Sequence, residues 1–170
     1  MTKHLATVCA LAALVAISSP AICQTLVGGH AGYDFESSEL YFGPDAIIPL
    51  PWMLNDAQLS LNPEFSWYLA DCDGCSFWLI SANVLYPFEA SFGSPYAGAG
   101  IGIATFSYDS GFFSKSGAVQ GSSDTELGIN IKAGLNFGEN SGKPFAEAGL
   151  YIIDSTWLYV QGGYRFTLGG

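Results

Sequence analysis

The sequence predicts an all-β fold, an eight-stranded antiparallel up-and-down transmembrane β-barrel, on three observations. Apolar and polar residues alternate by two over runs longer than an ordinary soluble strand. Hydrophobic residues make up 49% of the chain and charged residues only 12%, about half the ~25% charge of a soluble domain. Beyond the N-terminal region, no segment has the ~20 uninterrupted apolar residues of a membrane helix. Strands with apolar groups outward and polar groups inward reconcile the three.

The N-terminus comes first. Met1-Thr2-Lys3-His4 precedes an apolar run from Leu5 to Ile17, then Ser18-Ser19-Pro20-Ala21-Ile22-Cys23. A positive start, an apolar middle and small residues near a cleavage point read as a secretory signal peptide over 1–23, with cleavage after Ala21 or Cys23. The run is too short to span a bilayer and Pro20 ends it. Ile22 before Cys23 disfavours lipidation. Residues 24–170 are then one outer-membrane β-barrel domain.

The strands follow in order. The first is Leu26 to Phe35, with Val27, Gly29, Ala31, Tyr33 and Phe35 on one face and Gly28, His30, Gly32 and Asp34 on the other. The second is roughly Glu39 to Leu50. The third, Ala57 to Leu69, has apolar odd positions and mostly polar even ones. The fourth is Phe77 to Phe88. In the fifth, Tyr96 to Tyr108, Ala97, Ala99, Ile101 and Ile103 face out and Gly98, Gly100 and Gly102 face in. The sixth, Asp124 to Phe137, separates Leu127, Ile129, Ile131, Leu135 and Phe137 from Glu126, Asn130, Lys132 and Asn136. Pro144 to Ile153 and Trp157 to Leu168 complete the series. An even number of strands puts both termini on the periplasmic side.

Other residue types fit this frame. Several of the 21 glycines sit mid-strand, where they relieve crowding as a small barrel curves. Tyr33, Phe35, Phe65, Trp67 and Trp78 fall toward one set of strand ends. Trp52, Tyr86, Phe88, Phe137, Tyr164 and Phe166 fall toward the other. Two such bands are the girdles of a membrane barrel. The net charge of −10 excludes a nucleic-acid partner, which needs a basic surface.

Several stretches resemble the outer-membrane β-barrel domain proteins, broadly OmpA- or OmpX-like. They are Leu61-Asn62-Pro63, Pro95 to Ile103, Leu127 to Gly134, Lys143-Pro144-Phe145-Ala146-Glu147 and Gly162-Gly163-Tyr164-Arg165-Phe166. The likeness covers most of the chain after the signal region and rests on the order of the segments. It implies an eight-stranded barrel in a bacterial outer membrane, inserted by the outer-membrane insertion machinery, in contact with lipid and without catalytic residues. Many such chains end on an aromatic residue, whereas this one ends Leu168-Gly169-Gly170.

The inward polar set is His30, Asp34, Gln58, Asn62, Glu64, Asn83, Asn130, Lys132, Glu147, Gln161 and Arg165. An eight-stranded barrel is just wide enough to be filled by side chains. Glu64, Lys132, Glu147 and Arg165, with His30, are therefore expected in a lumen polar network, since unpaired charges there are costly. The other reading of these residues is a narrow, gated ion path.

Other chemistry has little support. Once the signal region is removed, His30 is the one histidine left for a Ser–His–acid site, and its register places it in the lumen. No cluster has zinc-ligand spacing, and no metal or cofactor is expected. Asp71-Cys72-Asp73-Gly74-Cys75 joins the third and fourth strands. A disulfide between Cys72 and Cys75 suits an oxidising compartment. A redox CxxC would normally open a helix, and a calcium loop would need further ligands. The long connection Asp109 to Ser123, with Phe112-Phe113 inside, is a natural place for a partner or lipid contact.

The expectation is thus a small outer-membrane barrel with a structural or surface-interaction role and a side-chain-filled lumen. A narrow pore or small-ligand transporter is the alternative. A lipid-modifying enzyme and a soluble secreted barrel with an apolar interior come after it.

Overall fold

The computed structural model describes residues 25–72, 74–108, 122–138 and 142–168. The signal-peptide region and residues 109–121 of the long connection lie outside the described residues. Eight strands form: β1 (Leu26–Asp34), β2 (Glu39–Leu54), β3 (Ala57–Tyr68), β4 (Cys75–Pro87), β5 (Ser94–Tyr108), β6 (Ser122–Asn136), β7 (Gly142–Ile152) and β8 (Thr156–Thr167). Each pairs antiparallel with the next, and β8 returns to β1 through Leu26↔Thr167 to Asp34↔Tyr159. The barrel closes, so no strand edge is left open. The lower end is defined here by the start of β1 and the end of β8, and the upper end by the β1–β2, β3–β4 and β7–β8 connections.

Alternation drives the fold. Along β7, from Pro144 to Ile152, exposed and buried residues alternate without a break, and β4 does the same from Leu79 to Leu85. Outward positions are apolar: Leu40, Ile80, Val84, Ile101, Leu127, Ile129, Ile131, Leu158 and Val160 are all exposed. Leu59, Leu61 and Leu135 lie half-buried in the same outward register. Inward positions hold the charges. An apolar band that girdles the whole molecule far exceeds the patches tolerated in water and is stable against hydrocarbon. The soluble barrel with an apolar interior is therefore wrong, because Ile129 and Ile131 point out and Asn130 and Lys132 point in.

Aromatic side chains mark both borders of the band. Tyr33 packs on Phe35 and Phe65 on Trp78 toward the top, while Tyr86 packs on Phe88 and Tyr164 on Phe166 toward the bottom.

Most strands begin or end within two residues of their expected bounds, and β2 departs furthest. β2 continues past Leu50 to Leu54. The register to β3 shifts between Pro49 and Met53, where Pro49 and Pro51 supply no N–H to a ladder and an irregularity absorbs them. Asn55 and Asp56 then turn the chain with φ of 50° and 64°, the left-handed pair of a two-residue hairpin that these residue types tolerate.

Candidate functional site

The lumen is filled in layers. At mid-height Lys132 is the hub. Its Nζ donates to Glu64 Oε2 at 2.6 Å, to Glu147 Oε1 at 3.1 Å and to Asn62 Oδ1 at 2.9 Å. Two carboxylates thus share one ammonium. Neutral donors satisfy the remaining lone pairs. Gln161 Nε2 donates to Glu147 Oε1 at 2.6 Å and to Glu64 Oε1 at 3.2 Å. Ser81 and Asn83 donate to Glu64, and the Tyr96 hydroxyl donates to Glu147 Oε2. Burying ions is tolerable only with this density of partners.

Arg165 occupies the layer below and is fully buried. It bonds neither Glu64 nor Glu147. Its Nε donates to Asp45 Oδ2 at 2.6 Å, its Nη1 to Asn136 Oδ1 at 3.0 Å, and its guanidinium lies 3.4 Å from the centroid of the Phe145 ring. The link to the upper network is the Tyr96 hydroxyl, 3.4 Å from Nη1. Asp45 was not expected here. Its neighbours Pro44 and Ala46, and the prolines at 49 and 51, blur the period-two pattern of that strand.

His30 lies in the lumen with the ion layers but bonds to none of their charged groups. Its Nε2 is 3.0 Å from Ser66 Oγ, two strands away. Gly43 lies between them in register and has no side chain to intervene. His30 Nδ1 has no partner. Gln58, expected inside, is exposed near the lower turn, where its amide donates to the Leu50 carbonyl. The irregular end of β2 places it beyond the filled lumen.

An aromatic layer that sequence reasoning missed seals the barrel above the ions. Tyr41, Tyr68, Tyr151 and Tyr159 are buried there with Phe77 and Leu79. The Tyr41 hydroxyl donates to Gln161 and the Tyr159 hydroxyl to Asn130, both at 3.0 Å. Several of the lumen tyrosines, Tyr41, Tyr151 and Tyr159 here and Tyr96 below, lie on bare glycine backbone. A Cβ on Gly128 would fall 2.8 Å from Tyr151 Cζ, and one on Gly134 2.5 Å from Tyr96. The glycines of β6 thus make room for tyrosines reaching across from β7 and β5. Between the aromatic and ionic layers the void is only about 10 Å³, no more than one water can occupy.

Above the aromatic layer the barrel opens into a mouth cavity of about 340 Å³, bounded by Glu39, Asp124, Glu126, Phe77, Phe106 and Trp157. Nearby, Cys72 and Cys75 form a disulfide at the β3–β4 connection. It opens a strand and not a helix, which leaves the redox reading without its usual setting. Among the described residues no group of three His, Cys, Asp or Glu side chains could hold a metal ion.

No protein-family model matches the chain, and no curated protein matches it by sequence. Solved structures do. The chain is similar to the N-terminal β-barrel domain of Pseudomonas aeruginosa OprF, with a TM-score of 0.59 and 19% identity over 85% of this chain and 96% of that one. It is similar to Ail, the attachment invasion locus protein of Yersinia pestis, solved with the heparin analogue sucrose octasulfate, at 0.57 and 14% over 84% and 96%. It is also similar to the outer membrane enzyme PagL at 0.52 and 16% over 83% and 98%. These are proteins of bacterial outer membranes, and one is an enzyme, so the fold alone decides no activity. With its closed ladder, apolar outer band and charged, filled interior, this chain has the fold of the small eight-stranded outer-membrane barrels.

Proposed function

We propose that this protein is a non-conducting, non-catalytic outer-membrane barrel that presents its upper end to partners while lipid holds its outer face. The observation that carries the reading is the stack of lumen layers. Arg165 with Asp45, Lys132 with Glu64 and Glu147, and the tyrosines above them leave no continuous path. An ion would have to displace a buried pair, which costs several kcal/mol. Incorporation of the purified protein into planar bilayers tests this. A bilayer current indistinguishable from the protein-free baseline is expected, and stepwise openings would replace the reading with the pore. Delivery by the outer-membrane insertion machinery belongs to the same proposal.

The enzyme reading has one observation in its favour, the His30–Ser66 contact. Against it, Ser66 is 6% exposed inside the lumen, and His30 Nδ1 has no carboxylate to orient the ring as a triad requires. Treatment with a fluorophosphonate, which labels activated serines, is expected to leave Ser66 unmodified. A polyanion partner like the one bound by Ail also fits poorly, because the described mouth is acidic.

A further inference from the structure

We propose that the upper mouth binds an organic cation: an ammonium or guanidinium carried on an apolar or aromatic body about the size of one ring. The inference rests on the reading of this barrel as an interaction protein and supplies the class of ligand.

Three features converge. The cavity of about 340 Å³ falls within the range of small-ligand pockets. Its walls carry Glu39, Asp124 and Glu126 beside the rings of Phe77, Phe106 and Trp157. Phe77 and Trp157 meet edge to face with centroids 5.6 Å apart. Negative carboxylates and π faces attract the same charge, and together they form the usual environment for ammonium groups.

No cation of the described chain neutralises this mouth. Lys132 and Arg165 are bound to carboxylates below the tyrosine layer, and Lys143 is the second residue of β7, at the lower end. None of Asp34, Glu39, Asp124 and Glu126 makes an ion pair with a described residue. Low-dielectric walls focus such a field on the cavity.

Two polar groups are also left without partners, Ser37 in this wall and Asp34 beside it on β1. Asp34 is 1% exposed and in register with Glu39. Its Oδ1 accepts the Glu36 and Ser37 amides at 2.9 Å, but its Oδ2 has no partner. The Ser37 hydroxyl, in the cavity wall, is buried without a partner too. Native structures seldom leave such groups unpaired. The carboxylates are not gathered as metal ligands, and the aromatic walls would gain nothing from a hydrated metal ion. An anion would be repelled. What remains is a cation with an apolar body.

The test uses the full chain in nanodiscs and three probes of one shape: phenethylammonium, phenethyl alcohol and phenylacetate. The indole N–H resonance of Trp157 reports binding, with empty nanodiscs correcting for partition into lipid. Phenethylammonium is expected to shift that resonance saturably, the alcohol to bind roughly tenfold more weakly and phenylacetate not to bind. Glu39→Gln and Glu126→Gln should each weaken the cation about threefold or more, and added salt should weaken it further. These substitutions keep side-chain volume, and circular dichroism checks the barrel. Trp157→Leu, followed by calorimetry, gives a second readout and should also weaken binding. Equal affinity for the alcohol, indifference to both carboxylate changes, or no saturable binding overturns the proposal. Conductance failure is separate: a conducting barrel could still bind the cation, and a silent one could fail to.

Discussion

Lys132 and Glu64, on strands β6 and β3, meet across the lumen with Nζ 2.6 Å from Oε2. The same Nζ is 3.1 Å from Glu147 on β7, so one cation ties β6 to its neighbour β7 and, across the barrel, to β3, 68 residues away in sequence. Lys132→Met should therefore cost about 3–5 kcal/mol, because it strands two buried carboxylates. Lys132→Met combined with Glu64→Gln should cost less than the sum of the two single changes. Urea unfolding in detergent measures all three proteins. Additive losses would show that the contact is not energetically coupled.

A second prediction concerns the glycine beneath Tyr96. A Cβ on Gly134 meets the ring at 2.5 Å, and the same ring holds its hydroxyl on Glu147 at 2.9 Å. Gly134→Val must displace the ring and loosen that bond. Overpacking of this kind costs about 1–3 kcal/mol. Gly138, which has open space around a Cβ but a left-handed φ of 83°, serves as a contrast. Gly138→Asn should be mild, since asparagine tolerates that conformation. Unfolding midpoints compare the two, and equal losses would argue against the steric account.

Much of this barrel is legible in the chain because membrane strands alternate over many residues. β6 separates Ile129 and Ile131 from Asn130 and Lys132 with no exception, so its two faces could be assigned before any coordinates. β2 could not, since Pro44, Pro49 and Pro51 interrupt the alternation and conceal Asp45. The tyrosine layer was illegible for a different reason. Tyr41, Tyr151 and Tyr159 count as apolar in a period-two reading, yet their hydroxyls and the inward glycines suit them to the lumen. Pair identity is harder still. Arg165 and Asp45 are 120 residues apart, and only barrel closure through β1 brings them together.

The outer face yields a third prediction. Ile129 is 54% exposed at the middle of β6, where the band should be deepest in hydrocarbon. Ile129→Arg should destabilise the folded barrel by about 2–4 kcal/mol, the cost of a basic side chain at the bilayer midplane. Phe166→Arg, near the lower border, should cost about 0–1 kcal/mol, the interfacial value. Reversible unfolding from lipid vesicles separates the two cases. The same cost at both positions would remove the depth dependence that a membrane imposes.

The Cys72–Cys75 bridge closes a very short loop at the β3–β4 connection. In the chain-entropy model even a 15-residue loop contributes only ~3 kcal/mol, and shorter loops contribute less. The connection is held otherwise by the Leu69 amide donating to the Leu40 carbonyl and the Cys75 amide to the Cys72 carbonyl. Below it, the β3–β4 ladder runs unbroken from Tyr68↔Phe77 to Ser60↔Leu85. Reduction should therefore leave the barrel folded and change the unfolding midpoint only slightly, with local loss of amide protection confined to the turn. Hydrogen exchange of the reduced and oxidised proteins reads this directly, and mass spectrometry of the non-reduced peptide establishes the bond. A barrel that unfolds on mild reduction would show that closure depends on this bridge, and two free thiols in the exported protein would remove it altogether.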